Sequence, residues 1–200
     1  MKTRAVISFV EVLQYGTMEA RENAAATLFS LSLPDENKIK IGESGAIPAL
    51  VNLLENGSVR GKKDAATALF SLCSYQENKG RAVRAGIVKP LVKILTEYSS
   101  QWIVNEALAL LSVLAGNQEA RAEIFKAKAI PALVDCLHKE PRNRENAAAI
   151  LLFLCKRDTK KLISIGKLGA VVPLMKLSRD GTERAKRKAK SLLELLRQAA

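Results

Sequence analysis

A segment of about 41 residues recurs along this chain. Phe9, Leu50, Leu91, Leu133 and Leu174 follow one another at steps of 41, 41, 42 and 41. Each stands in a similar apolar string, as in Gly45-Ala46-Ile47-Pro48-Ala49-Leu50-Val51 and Gly169-Ala170-Val171-Val172-Pro173-Leu174-Met175. A second ladder, Leu31, Leu72, Leu114, Leu154 and Leu195, keeps steps of 41, 42, 40 and 41. Two ladders with one period, written in Leu and Ala, point to a stack of repeated helical units. Such stacks present a long surface, so the leading question is what is bound.

Each unit reads as one short helix and two longer ones. In the second unit the short helix is predicted near Asn37–Ile41, with Gly42 and Gly45 able to adopt left-handed backbone and turn the chain. Gly86 and Gly169 recur at the Gly45 place, and Lys128 occupies it in the fourth unit. Ile47, Leu50, Val51, Leu53 and Leu54 form the stripe of the second helix, with Pro48 in its first turn. Polar connectors are predicted at Glu55–Ser58 and Glu140–Asn143. The third helices are predicted at Glu22–Ser32, Lys63–Cys73, Asn105–Ala115, Glu145–Cys155 and Lys186–Leu196. Their small Ala24, Ala65, Ala107 and Ala147 allow close approach between layers.

Three helices per unit favours the armadillo over the two-helix HEAT design. The predicted fold is therefore all-α, a right-handed α-solenoid of about 4.5 armadillo repeats. One domain over 1–200 is expected, divided at 5–41, 42–83, 84–125, 126–165 and 166–200. The first unit starts with its second helix, near Ala5–Tyr15, which suggests a piece of a longer protein. The basic stretch Arg184–Lys190 ahead of Leu192, Leu193, Leu195 and Leu196 reads as a terminal cap.

Composition limits the chemistry. The chain is 48% hydrophobic, enough for a sizeable core, with 4% aromatics and a formal charge of +12. That charge favours acidic partners. Cys73, Cys136 and Cys155 have no CxxC spacing and read as small core residues of a reducing compartment. The lone His138 follows an apolar helix and reads as a surface residue, and Trp102 as packing at the 96–101 connector. There is no GxGxxG, P-loop or GxSxG string. No catalytic residue, cofactor or metal is expected. With no signal peptide or apolar run of membrane length, a cytoplasmic or nuclear location is expected.

In armadillo folds the third helices line a concave groove, and nuclear-import adaptors of that fold grip basic peptides there with repeated Trp and Asn. The Trp places here hold Ala26, Thr67, Ala109, Ala149 and Lys190, and the Asn places hold Ser30, Ser71, Val113, Phe153 and Glu194. Carriage of basic import signals is therefore disfavoured. The helix entrances instead carry Asn23, Asp64, Glu106, Asn146 and Arg187, with Arg60, Lys62, Lys63, Arg142, Arg144 and Arg184 just upstream. Cations beside helix N-termini would form an anion-attracting ridge. These residues, with Phe153, are the candidate groove for an acidic or phosphorylated protein segment. The alternative is a basic scaffold for nucleic acid or acidic membrane, against which the scarcity of aromatics interleaved with cations counts.

The strings Arg21-Glu22-Asn23-Ala24-Ala25-Ala26-Thr27-Leu28-Phe29-Ser30-Leu31-Ser32 and Gly61-Lys62-Lys63-Asp64-Ala65-Ala66-Thr67-Ala68-Leu69-Phe70 carry a resemblance. So do Asn78–Gly86, Pro141–Ala148 and Gly181–Lys188. They resemble the armadillo region of plant U-box E3 ubiquitin ligases, over essentially all 200 residues. The resemblance implies a parent ligase whose U-box recruits a ubiquitin-loaded E2, with this region recruiting the substrate or regulator. The chain itself contains no U-box, so alone it is expected to be the non-catalytic binding half.

Overall fold

The computed structural model describes residues 3–97 and 101–199, which form fourteen α-helices and no strand. The first two are α1 (Thr3–Tyr15) and α2 (Met18–Leu31). Four triplets follow: α3 (Asp35–Glu43), α4 (Ala46–Asn56), α5 (Val59–Leu72); α6 (Gln76–Arg84), α7 (Val88–Glu97), α8 (Gln101–Leu114); α9 (Gln118–Lys126), α10 (Ile130–Cys136), α11 (Pro141–Cys155); α12 (Thr159–Lys167), α13 (Val171–Asp180), α14 (Glu183–Ala199). Three helices per unit hold in every triplet, but the expected short-then-longer order fails in the third, where α10 has 7 residues against 9 in α9.

The helices gather into two compact units, Met1–Leu91 and Val92–Ala200, the division falling inside α7. In the first, α2 lies on α5, and α1 and α4 pack against those two. In the second, α8, α11 and α14 pack in that order, with α13 on α14 and α10 on α11. Leu50, Leu91, Leu133 and Leu174 are fully buried, as are Leu72 and Leu114 on the second ladder. Burying each such side chain contributes about 1.5–3 kcal/mol. Ala24, Ala65, Ala107 and Ala147 of the third helices are buried too.

Gly45, Gly86 and Gly169 have φ of 84°, 82° and 85°, and Lys128 at the same place has φ 54°. Gly42 departs from expectation. It lies inside α3 without left-handed backbone, and its role is close approach. A Cβ there would stand 1.9 Å from Asn78 Oδ1. Asn78 is fully buried and its Nδ2 donates to Leu72 O at 3.0 Å and Lys38 O at 2.9 Å, tying α6 to the end of α5 and to α3.

The third helices start earlier than predicted. The α2, α5, α8 and α11 helices begin four residues ahead of the predicted starts, and α14 begins three ahead. The first turns of α2, α5, α11 and α14 carry charged residues, so hydrophobic periodicity reads them as connector. Hydroxyl caps account for the extension in three of them: Thr17 accepts from Ala20 N–H at 3.3 Å, Ser58 from Gly61 N–H at 3.1 Å, and Thr182 from Ala185 N–H at 3.1 Å. The α11 helix instead opens on Pro141, with no side-chain cap. Glu55 and Asn56 complete α4, leaving Gly57 and Ser58 as the link, and Pro141 already belongs to α11.

Candidate protein-binding faces of the third helices

Because the third helices start early, Arg60, Lys62, Lys63, Arg142 and Arg144 lie in their first two turns, not in connectors ahead of them. In the first unit Arg60 joins two of the predicted residues, Asn23 and Asp64, and a third that was not predicted, Glu22. Its Nη2 donates to Asn23 Oδ1 at 2.9 Å, and its Nε stands 3.5 Å from Asp64 Oδ2 and 3.8 Å from Glu22 Oε2. Glu22 is buried, and Ser58 Oγ donates to its carboxylate while capping α5. One hydroxyl thus serves the start of α5 and the acid of the preceding third helix.

The second unit repeats this latch. Thr182 Oγ1 donates to Glu145 Oε2 at 2.6 Å while capping α14, and Arg184 Nε stands 3.3 Å from Glu145 Oε1. The signal was present in the sequence: Arg-Glu-Asn-Ala-Ala occurs at 21–25 and at 144–148. A Gly-hydroxyl pair with Arg two residues on follows each, at Gly57-Ser58 and Gly181-Thr182. Sequence reasoning singled out the arginines and missed Glu22, Ser58, Glu145 and Thr182.

Two of the ridge arginines are therefore bound to acids. Lys62 is also engaged, its Nζ donating to Leu54 O at 3.1 Å and to Glu55 O at the end of α4. Arg21 does the same one repeat earlier, its Nε donating to Leu13 O at 2.9 Å. Lys63, Arg142 and Arg187 are exposed, Glu106 is half-buried and Asn146 is buried. Phe153 is 43% exposed, with Lys188 Nζ 5.7 Å from its ring centroid, and Phe70 on α5 is 42% exposed.

The Trp and Asn places remain without their ladders. Ala109 and Ala149 are buried, while Ser30, Lys190 and Glu194 are exposed. All three cysteines are buried and reduced. Burial pushes the Cys73 and Cys155 thiols up to about 12 and raises that of Cys136 as well. Thiolate is the nucleophile, so these positions suit packing, not thioester chemistry. His138 is exposed beyond α10, and Trp102 is half-buried in the first turn of α8. Residues 98–100 of the connector assigned to it lie outside the described residues. Among the described residues no group of His, Cys, Asp and Glu could hold a metal ion, and no helix is long and apolar enough to cross a membrane.

The family model described as the plant U-box protein ARM repeat region matches residues 1–200. The chain is 71% identical over 98 residues to U-box domain-containing protein 11 of Arabidopsis thaliana, a match covering 48% of this chain and 16% of that protein. It is 54% identical over 189 residues to U-box domain-containing protein 12 of Arabidopsis thaliana, covering 94% of this chain and 29% of that protein. The chain thus spans less than a third of either relative. A computationally designed armadillo repeat protein for modular peptide recognition is similar at a TM-score of 0.84 and 26% identity, covering 96% of this chain and 82% of that one. The fold is an armadillo α-solenoid.

Proposed function

This chain belongs to the ARM repeat region of plant U-box proteins, and we propose that it is the segment by which a U-box ubiquitin ligase holds its substrate or a regulator. It binds and does not itself transfer ubiquitin; the U-box of the whole protein recruits the E2. The observation that carries this reading is the build of the third-helix faces. Rigid helices hold Phe70 and Phe153 half-exposed among spaced charges, and binding surfaces concentrate energy in a few such aromatic anchors within a polar surround.

The chemistry supported for the partner is a protein segment with acidic or phosphorylated side chains at intervals. In the second unit Arg142 and Arg187 supply exposed cations, while Glu145 balances Arg184. This alternation suits spaced anions better than the unbroken phosphate line of a nucleic acid. Buried free thiols fit a reducing compartment, and cytoplasm or nucleus is proposed on that ground.

The test joins this chain to a U-box. Proteins captured by the isolated chain are incubated with E1, E2, ubiquitin, ATP and either the fusion, the U-box alone or the isolated chain. Captured proteins should be modified by the fusion only. Equal modification by the U-box alone would remove the recruiting role, and chain formation by the isolated segment would reveal an E2 surface of its own.

A further inference from the structure

Ten residues ahead of Leu31, Leu72 and Leu154 stand Arg21, Lys62 and Arg144, three cations at one place in the repeat. The first two donate to carbonyls eight residues back and close the end of the preceding helix. The fourth repeat is spaced differently: Leu133 and Leu154 are 21 residues apart, against 22 for Leu50 and Leu72. In this repeat α10 ends at Cys136 in tight turns. Leu137 N–H donates to Val134 O at 3.0 Å, His138 N–H to Asp135 O at 3.1 Å, and Lys139 N–H to Cys136 O at 3.3 Å. The carbonyl eight residues back from Arg144, Cys136 O, thus accepts from backbone, the Lys139 N–H. Arg144 Nε is left buried with no hydrogen-bond partner.

Arg144 instead lines a cavity of about 190 Å³ with Leu137, His138, Val172, Pro173 and Lys176. No carboxylate is in that lining. We propose that this cavity, between the end of α10 and α13, seats a phosphorylated side chain of a peptide partner. Charge selects the ligand class. Arg144 and Lys176 bring two positive charges, which a phosphomonoester of −1.5 to −2 matches and one carboxylate does not. The planar guanidinium suits phosphate oxygens, with the Lys176 ammonium and the His138 imidazole as further donors. The apolar rim selects a peptide over a free anion: Val172 is 74% exposed, and Val171 and Met175 beside it on α13 are exposed as well. They offer a landing for side chains flanking the phosphate. The proposal rests on the reading that this domain captures protein segments, and names the seat for one group of such a segment.

His138 is the only histidine in the chain, so its ring resonances report the cavity without ambiguity. The whole chain would be titrated, at constant ionic strength, with a capped five-residue peptide holding phosphoserine between valines. The unphosphorylated peptide, its glutamate version and inorganic phosphate are the comparisons. The phosphopeptide should shift the His138 signals saturably, with Kd on the order of 1 mM or below, and bind at least about tenfold more tightly than each comparison. Lys176→Gln, at an exposed position, and Arg144→Gln should each weaken binding about tenfold, while Arg179→Gln, outside the cavity on α13, should not. Backbone amide spectra confirm that each variant is folded. A linear, unsaturated shift, equal binding of the unphosphorylated or glutamate peptide, or equal loss in Arg179→Gln would overturn the proposal. Inorganic phosphate binding as tightly as the peptide would also overturn it, leaving a bare anion hole. No ligase component is present, so failure here leaves the recruiting role standing, and failure of the fusion assay leaves the cavity untouched.

Discussion

Lys128 holds a backbone conformation that its three counterparts entrust to glycine. Left-handed backbone costs an L-residue about 1–2 kcal/mol, whereas the extra chain freedom of unfolded glycine costs roughly 0.5–1 kcal/mol. The first effect is the larger, so Lys128→Gly should stabilise the protein by about 0.5–1 kcal/mol, read as a higher midpoint in urea. The cysteines give a second residue-level expectation. Unfolded thiols ionise near 9, while burial holds Cys73 and Cys155 protonated to about 12. Folded pKa values stand above unfolded ones, so this contribution to stability is whole below pH 9 and is lost as pH rises toward 12. Cys73→Ala with Cys155→Ala should flatten the alkaline fall in stability relative to the unmodified chain. Iodoacetamide at pH 8 should label the native protein far more slowly than the unfolded one. Equal labelling rates would contradict the burial argument.

The start of each third helix is where local and layer-to-layer chemistry meet. Ser58 and Thr17 both cap helices, but only Ser58 also serves a buried carboxylate of the preceding third helix. A lost cap costs about 0.5–2 kcal/mol, and a buried acid deprived of a partner adds roughly 1–3 kcal/mol. Ser58→Ala should therefore destabilise more than Thr17→Ala, and the excess should shrink when Glu22→Gln is combined with it. Equal costs for the two caps would mean that the layers are held by apolar packing alone. Helix existence and order were legible in the sequence because Leu and Ala recur at helical spacing. Helix starts were not, since Glu19, Arg60 and Arg142 break the apolar period while still lying inside helices. The latch was legible only as a repeated word, Arg-Glu-Asn-Ala-Ala, whose meaning depends on a hydroxyl about 36 residues further on.

For the molecule as a whole, the places that would grip a basic import peptide hold Ala26, Thr67, Ala109, Ala149 and Lys190. With a formal charge of +12 and no aromatic slots there, a lysine-rich import peptide should bind no better than about millimolar by calorimetry. Micromolar binding would show another way of gripping cations. The candidate site was legible as a list of cations and not as a surface. Sequence spacing identified Arg60, Lys62 and Arg144 alike, yet one is paired with acids, one closes a helix and one lines a cavity. The repeat that holds the last is one residue shorter between its ladder leucines than the repeat that holds Lys62. Repeat architectures are usually said to gain new recognition by substitution on a constant frame. Here a shorter run between two helices accompanies a change in what a retained cation is available for. Adding a residue between His138 and Glu140 should let α10 run on, return Arg144 to the duty of Arg21 and Lys62, and remove the pocket that Leu137 and His138 help to line. In a tandem array, spacing is itself heritable chemistry: one copy can be released from structural duty while its siblings go on performing it.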